Sequence, residues 1–234
     1  MTENRGAEGV LPSVAAQHSS LASIAQDWIA TQIIEGRIKP GEKLAEGALA
    51  EQMGISRSPV REALRSLSAQ GLIVVEPRRG AFVAELDAEH AADLYVCRLL
   101  IEPACIQEVA RSIDDGTLAR LEESFGDMTA AAEGADSEAY VAALTNYNRQ
   151  LFDACPNRLL FGYAESTWRS SLRYWALLVR HSGQYSQQSL RRNGKIQAAL
   201  RKRDPEKAFQ ATTELLQWSR EELLSVLTKL PTGK

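Results

Sequence analysis

Histidine is nearly absent from this chain, with three in 234 residues, at His18, His90 and His181. They are too scattered for an imidazole-built metal centre, and each reads as an ordinary surface or tertiary-contact residue. Cysteine is as rare. Cys97, Cys105 and Cys155 are an odd number without CxxC spacing, which fits reduced thiols and excludes a disulfide framework. Cys97 and Cys105 sit in an apolar helical pattern and are expected in the core. No apolar run approaches the roughly 20 residues that span a bilayer. No signal-peptide pattern opens the chain, so the expected location is the cytoplasm, with no membrane partner. The net charge is −3, not the strongly basic balance of a non-specific nucleic-acid binder. There is no nucleophile–base pair, paired-carboxylate motif or phosphate-cradling loop, so no catalytic residues are assigned and an enzyme is not expected.

What is present is enough sequence for two modest domains, with ordinary hydrophobic (44%) and charged (24%) content. Residues 1–19 are small, polar and aperiodic and read as a flexible tail. A helix is predicted over 20–35, its buried stripe formed by Ile24, Trp28, Ile29 and Ile33, with Gly36 closing it and Lys39-Pro40-Gly41 marking a turn. Gly47 to Met53 suits a short helix ended by Gly54. Ile55 and Ser56 make a turn. Ser58 then Pro59 reads as an N-cap and first helical position. Val60, Ala63, Leu64 and Leu67 follow at i, i+3, i+4 and i+7, one buried face. Gly71 ends that helix.

The opposite face carries Arg61 and Arg65, four residues apart, with Arg57 in the turn before them. Two helices joined by a tight turn, the second basic at its N-terminal end, make a helix-turn-helix pattern whose second helix would enter a major groove. Leu72 to Glu76 and Ala81 to Ala84 flank the turn Pro77-Arg78-Arg79-Gly80 and read as a β-hairpin wing with two arginines at its tip, placed for backbone or minor groove. From Arg57 to Gly80 there are five arginines against Glu62 and Glu76. A solvated basic face on an interaction domain is the competing reading.

After a hinge at Glu85 to Ala88, with Asp87 a candidate N-cap, the period is helical throughout. Helices are predicted at 88–111, 115–133, 137–154, 157–182, 187–202 and 205–229. Gly134, Pro156, Gly183 and Asp204-Pro205 punctuate them. The fold class is therefore mainly α: an N-terminal winged helix-turn-helix with a small β-hairpin wing, and a C-terminal antiparallel all-α bundle. The domain reading is 1–19 tail, 20–85 winged helix-turn-helix, 86–229 helical domain and 230–234 tail.

The run IIEGRIKPGEKLAEGALAEQMGISRSPVREALRSLSAQGLIVVEPRRGAFV resembles the DNA-binding domain of the GntR family of bacterial transcription regulators, most specifically at ISRSPVREAL. The segments LYVCRLLIEPACIQEVA, ACPNRLL and KIQAALRKRDPEKA resemble the FadR-type FCD effector domain. Together the two resemblances cover about residues 20 to 229. They imply a dimer, a small-molecule effector within the bundle, and a palindromic double-stranded DNA operator. They assign DNA contact to Ser56, Arg57, Ser58, Arg61, Arg79 and Gly80. Arg57 and Arg61 are the candidates for base edges, the serines and Gly80 for phosphate register, and Arg65 for a phosphate. Gly47 stands where some relatives carry a DNA-contacting arginine.

Many FCD domains hold a divalent metal with one Asp and three His. Counting from the matching segments puts Leu144, Asn148, Asn193 and Leu215 at those positions, so no metal cofactor is expected. Arg98 matches an arginine of the family's first effector-domain helix. Its alternatives are an effector carboxylate or Glu102 at i+4. Asn148 and Asn193 are candidates to bond an effector directly, or to satisfy one another. Tyr147 and Arg173 are further candidates, from an aromatic and basic concentration that includes Trp168, Tyr174 and Trp175. The resulting reading is a ligand-responsive dimeric regulator, a repressor in its simplest form. The alternative is a constitutive DNA-binding dimer with a degenerate pocket.

Overall fold

The computed structural model describes residues 12–34, 36–181 and 184–229, with side chains from residue 21 onward. It divides into two compact units at Ala84/Glu85. In the first, α1 (Pro12–Ile34) packs on α3 (Arg57–Ala69), with α2 (Glu46–Met53) beside α3. The core is Ala25, Ile29 and Ile33 of α1, Leu49 and Ala50 of α2, Val60, Ala63, Leu64 and Leu67 of α3, and Leu72, Ile73, Ala81 and Val83.

Two differences in α1 have simple causes. Its helix begins at Pro12, inside the expected tail, because proline at a first helical position gives up an N–H that has no partner there. Ile24 is 57% exposed. The inward row is Ala25, Ile29 and Ile33 at four-residue steps, and Ile24 points about 100° away from it. Residues 1–11 and 230–234 of the expected tails, Glu35, Gly183 and the side chain of His18 lie outside the described residues.

Gly54 ends α2 in the left-handed region at φ 66°, which glycine adopts without a Cβ clash. The N-cap of α3 is Ser56, not Ser58, so Arg57 opens the helix and Pro59 sits two residues further in. Proline is tolerated there because the first four N–H groups of a helix have no intrahelical acceptor.

The wing is β2 (Ile73–Glu76) and β3 (Gly80–Val83), antiparallel, with Ile73 opposite Val83 and Glu76 opposite Gly80. A strand of only two residues, β1 (Lys43–Leu44), pairs with the outer edge of β3 and completes a sheet of order β1-β3-β2. It is too short to show periodicity in sequence. At the wing tip Arg78 takes φ 64°, a conformation costing a side-chain-bearing residue about 1–2 kcal/mol.

The second unit is helical: α4 (Ala88–Ser112), α5 (Asp115–Glu133), α6 (Ser137–Asp153), α7 (Arg158–His181), α8 (Tyr185–Arg201) and α9 (Pro205–Leu227). Asp87, Asp114, Asp136 and Asp204 each accept backbone N–H bonds and start α4, α5, α6 and α9. α4 is central, packed against α9 and α7. Its inward face carries Ala91, Tyr95, Arg98, Glu102, Ile106 and Val109. A charged pair thus occupies core positions. Cys97, expected in the core, is exposed, and so are Val96 and Leu100. Among the described residues no helix is long and apolar enough to cross a membrane.

Candidate nucleic-acid interface and bundle cavity

A groove of about 630 Å³ runs between α3 and the wing, lined by Lys43, Glu46, Arg61, Arg65, Arg78, Arg79 and Gly80 among others. α3 contributes its outer face because Val60, Ala63, Leu64 and Leu67 fix the inner one. The wing contributes its tip because the β2–β3 register ends at Glu76 and Gly80. Lys43 and four arginines thus face Glu46 and Glu76 across one concavity, a local positive field in a chain of negative net charge. Two features were not read from sequence: Glu46 as the partner of Arg61, and Lys43. The signal of Lys43 is hidden because its strand is two residues long.

Two of these arginines are held by acids. Arg61 donates from Nε and Nη2 to the Glu46 carboxylate. That bond holds the Glu46 carboxyl below its ordinary range, slight burial opposes the shift, and the charges of Arg61, Arg57 and Arg65 reinforce it. Arg79 pairs with Glu76 and lies 5.4 Å from the Phe82 ring centroid. Ser56, Arg57 and Ser58 are exposed at the start of α3, where free N–H groups and the helix dipole favour an anion. The Arg57 guanidinium rests beside Gly47: a Cβ there would stand 3.4 Å from Nη2. The glycine thus leaves the space that Arg57 occupies.

The helical unit contains a small cavity of about 30 Å³, room for about two waters. Arg98, Glu102, Asn148, Trp175, Asn193 and Thr212 line it, with Leu144 and Leu215. The four positions counted from the metal-binding pattern therefore meet in one place. Their chemistry does not fit such an ion. Two are leucines. The amide nitrogens of the other two are spent on their own helices, Asn148 Nδ2 donating to the Leu144 carbonyl and Asn193 Nδ2 to that of Ser189, each at 2.9 Å. Among the described residues no group of three or more His, Cys, Asp or Glu is placed to hold a metal.

Arg98 resolves as a buried ion pair. Nε donates to Glu102 Oε1 at 2.6 Å and Nη2 to Oε2 at 3.1 Å, with both side chains under 5% exposed. The guanidinium also lies 4.7 Å from the Tyr95 ring centroid and 5.2 Å from that of Trp175. Burial raises the Glu102 carboxyl, with Arg98 pulling the other way. Burial works against the Arg98 charge, and Glu102, with smaller help from Tyr95 and Tyr185, more than restores it. Two polar atoms of the lining residues have no hydrogen-bond partner: Arg98 Nη1 and Asn193 Oδ1.

Tyr147 and Arg173 do not line the cavity. Tyr147 is about 100° around α6 from Asn148. Its ring meets Phe125 edge-on and its hydroxyl donates to Gln197 Oε1 at 3.0 Å. On α7 the inward place belongs to Trp175. Arg173 Nη2 instead donates to the Tyr174 hydroxyl, which donates to the Asp87 carbonyl at 3.2 Å. Missed from sequence were Tyr185, Ser189, Thr212 and Ser219, which complete the polar lining. Ser219 bonds to the hydroxyls of Tyr95 at 2.7 Å and Tyr185 at 3.0 Å. The available signal was the four-residue spacing of Ser189 with Asn193 on one buried face.

The family model described as bacterial regulatory proteins, gntR family, matches residues 21–83, and the FCD domain model matches residues 93–217. The uncharacterized HTH-type transcriptional regulator YdhC of Bacillus subtilis is 28% identical over 180 residues, 76% of this chain and 80% of that one. The HTH-type transcriptional repressor RspR of Escherichia coli is 26% identical over 185 residues, 79% and 81% of the two chains. The probable D-xylose utilization operon transcriptional repressor of Paenarthrobacter nicotinovorans is 30% identical over 142 residues, 61% and 62%. In fold the chain is similar to Escherichia coli McbR/YncC, with TM-score 0.77 and 22% identity over 88% of this chain and 97% of that one. It is similar also to a putative GntR regulator from Rhodococcus sp. RHA1, with TM-score 0.73 and 24% identity over 92% and 100%.

Proposed function

This chain belongs to the GntR family of bacterial regulatory proteins and carries an FCD domain, and on that premise we propose that it is a homodimeric repressor released from or locked onto its operator by a small organic effector. The observation that carries the DNA half is the groove between α3 and the wing, where Lys43, Arg61, Arg65, Arg78 and Arg79 converge. Arg57 and Arg61 reach base edges, a role suited to a planar fork of donors. Ser56, Ser58, Arg65, Arg79 and Gly80 hold phosphates. A two-fold dimer meets a palindromic site, one wing and one α3 to each half.

The effector half rests on the bundle cavity and its unpartnered polar atoms, with Arg98, Asn148 and Asn193 as contacts. A pocket lost to drift would be expected to close with apolar packing, since buried polar atoms without partners are costly. The naming of RspR and the P. nicotinovorans relative as repressors favours repression. Val96 and Leu100, exposed one turn apart on α4, supply apolar surface for a second copy.

The test is to select duplexes from a random pool with the purified protein and measure affinity against salt. The proposal expects an enriched inverted repeat whose affinity falls steeply as salt rises. Failure to enrich any sequence refutes it.

A further inference from the structure

Resting on the effector reading above, we propose that the bundle cavity selects an uncharged ligand carrying both a hydrogen-bond acceptor and a donor, such as a primary amide, and rejects the carboxylate of the same shape. Charge decides first. Arg98 is the cation of the cavity, and Glu102 already neutralises it through two hydrogen bonds at 2.6 and 3.1 Å. The pair is shut away from water, at 2% and 3% exposure. An incoming carboxylate would place a second negative charge beside Glu102 with no cation left to balance it, and burying an uncompensated charge is strongly unfavourable. An incoming ammonium would meet Arg98 with the Glu102 oxygens already engaged.

The remaining hydrogen-bond capacity states what fits. Arg98 Nη1 is a buried donor without an acceptor, and Asn193 Oδ1 is a buried acceptor without a donor. The Asn193 amide cannot turn over to reverse that role, because its nitrogen donates to the Ser189 carbonyl, which only accepts. Asn148 is oriented alike by the Leu144 carbonyl. Thr212 spends its hydroxyl hydrogen on the Ala208 carbonyl at 2.8 Å. The cavity therefore offers acceptors from α6, α8 and α9, the Arg98 donor from α4, and the hydroxyls of Tyr185, Ser189 and Ser219, which donate or accept. A carbonyl group on Arg98 and an N–H or O–H group on Asn193 satisfy both orphans. The narrow space favours a small ligand.

The test uses the full chain at neutral pH and matched pairs of small primary amide and carboxylate: formamide and formate, acetamide and acetate, glycolamide and glycolate. Thermal shift and calorimetry read binding. The expected result is at least one amide bound about tenfold or more tightly than its acid, a difference of the size an unbalanced buried charge produces. Glu102→Gln keeps the shape and frees the Arg98 charge, and it should reverse the preference in favour of the acid. Asn193→Leu should remove amide binding while leaving a cooperative melt without ligand. An acid bound more tightly than its amide by the wild type, a Glu102→Gln variant with unchanged preference, or no binding by any amide each overturns the proposal. Operator affinity, measured beside these, separates the two readings. Amides that bind without changing DNA affinity support the cavity chemistry and refute effector control. Acids that bind and change DNA affinity do the reverse.

Discussion

Arg61 of α3 lies against Glu46 of α2, its Nε 3.0 and 3.1 Å from the two carboxylate oxygens and its Nη2 2.8 Å from one of them. The side chain proposed to read bases is thus held by an acid that lines the same groove. Both partners are partly exposed, at 54% and 34%, so solvent screens the pair and it is readily exchanged for DNA. Glu46 has two effects: it orients Arg61, and it repels phosphates. Glu46→Gln should raise affinity for unrelated duplex by about 3–10-fold, the scale of one removed charge near a phosphate, and narrow the gap between operator and random sequence. Fluorescence anisotropy on both duplexes measures this. An unchanged ratio of the two affinities would show that the pair has no part in specificity.

Arg78 occupies a left-handed position, at φ 64°, at the tip of the wing. A β-turn residue there would ordinarily be glycine or asparagine. Arg78→Gly should leave stability unchanged or raise it by up to about 1 kcal/mol, while weakening DNA binding and lowering the salt slope by about one. Urea unfolding and a salt titration check the two halves. A variant that is destabilised and binds as before would mean that the arginine serves the fold.

Three helix-capping aspartates set an acid limit on the bundle. Asp87 is held below the ordinary 3.8 by the backbone N–H groups of His90 and Glu89. Asp114 is lowered by the backbone and then the hydroxyl of Thr117, and Asp204 by the side chain and then the backbone of Lys207. Each folded-state value lies below the unfolded one, so the unfolded chain binds more protons in that window. The stabilisation is complete above the unfolded value and is lost as pH falls through the folded one. Replacing all three with asparagine, which still caps, should flatten the loss of stability between about pH 5 and pH 2. Denaturant midpoints across that range decide it; an unaltered slope would place the acid sensitivity elsewhere.

Leu100 is 74% exposed on α4. If this face meets a second copy, Leu100→Glu should shift the protein toward monomer in sedimentation and weaken operator binding about tenfold or more, since each half-site then binds alone. A dimer that persists unchanged would move the interface off this part of α4.

The DNA-reading half was largely legible in sequence because its signals are local. The spacing of Val60, Ala63, Leu64 and Leu67 fixes one face of α3 and so exposes the arginines on the other. The six bundle helices fall within two residues of the expected bounds at every end because aspartates, glycines and prolines mark them. What escaped is non-local. Lys43 joins the groove through a two-residue strand paired across the sheet. Arg98 and Glu102 at i+4 look like any surface pair, yet both lie inside, which turns Cys97 and Leu100 outward against the apolar period. Ser189, Thr212 and Ser219 carry small hydroxyls that sequence cannot tell from surface residues. Tyr147 and Arg173 were drawn toward the cavity by composition, and a turn of about 100° per residue carried them past it.

The central claim is that guanidinium groups at the start of α3 read DNA. Anisotropy with the Arg57→Ala, Arg61→Ala double variant, on a duplex selected by the wild type and on a scrambled duplex, tests it most directly. The account predicts a loss of about 10-fold or more on the selected duplex, a much smaller loss on the scrambled one, and an unchanged thermal melt. Wild-type affinity and wild-type preference in the double variant would contradict it.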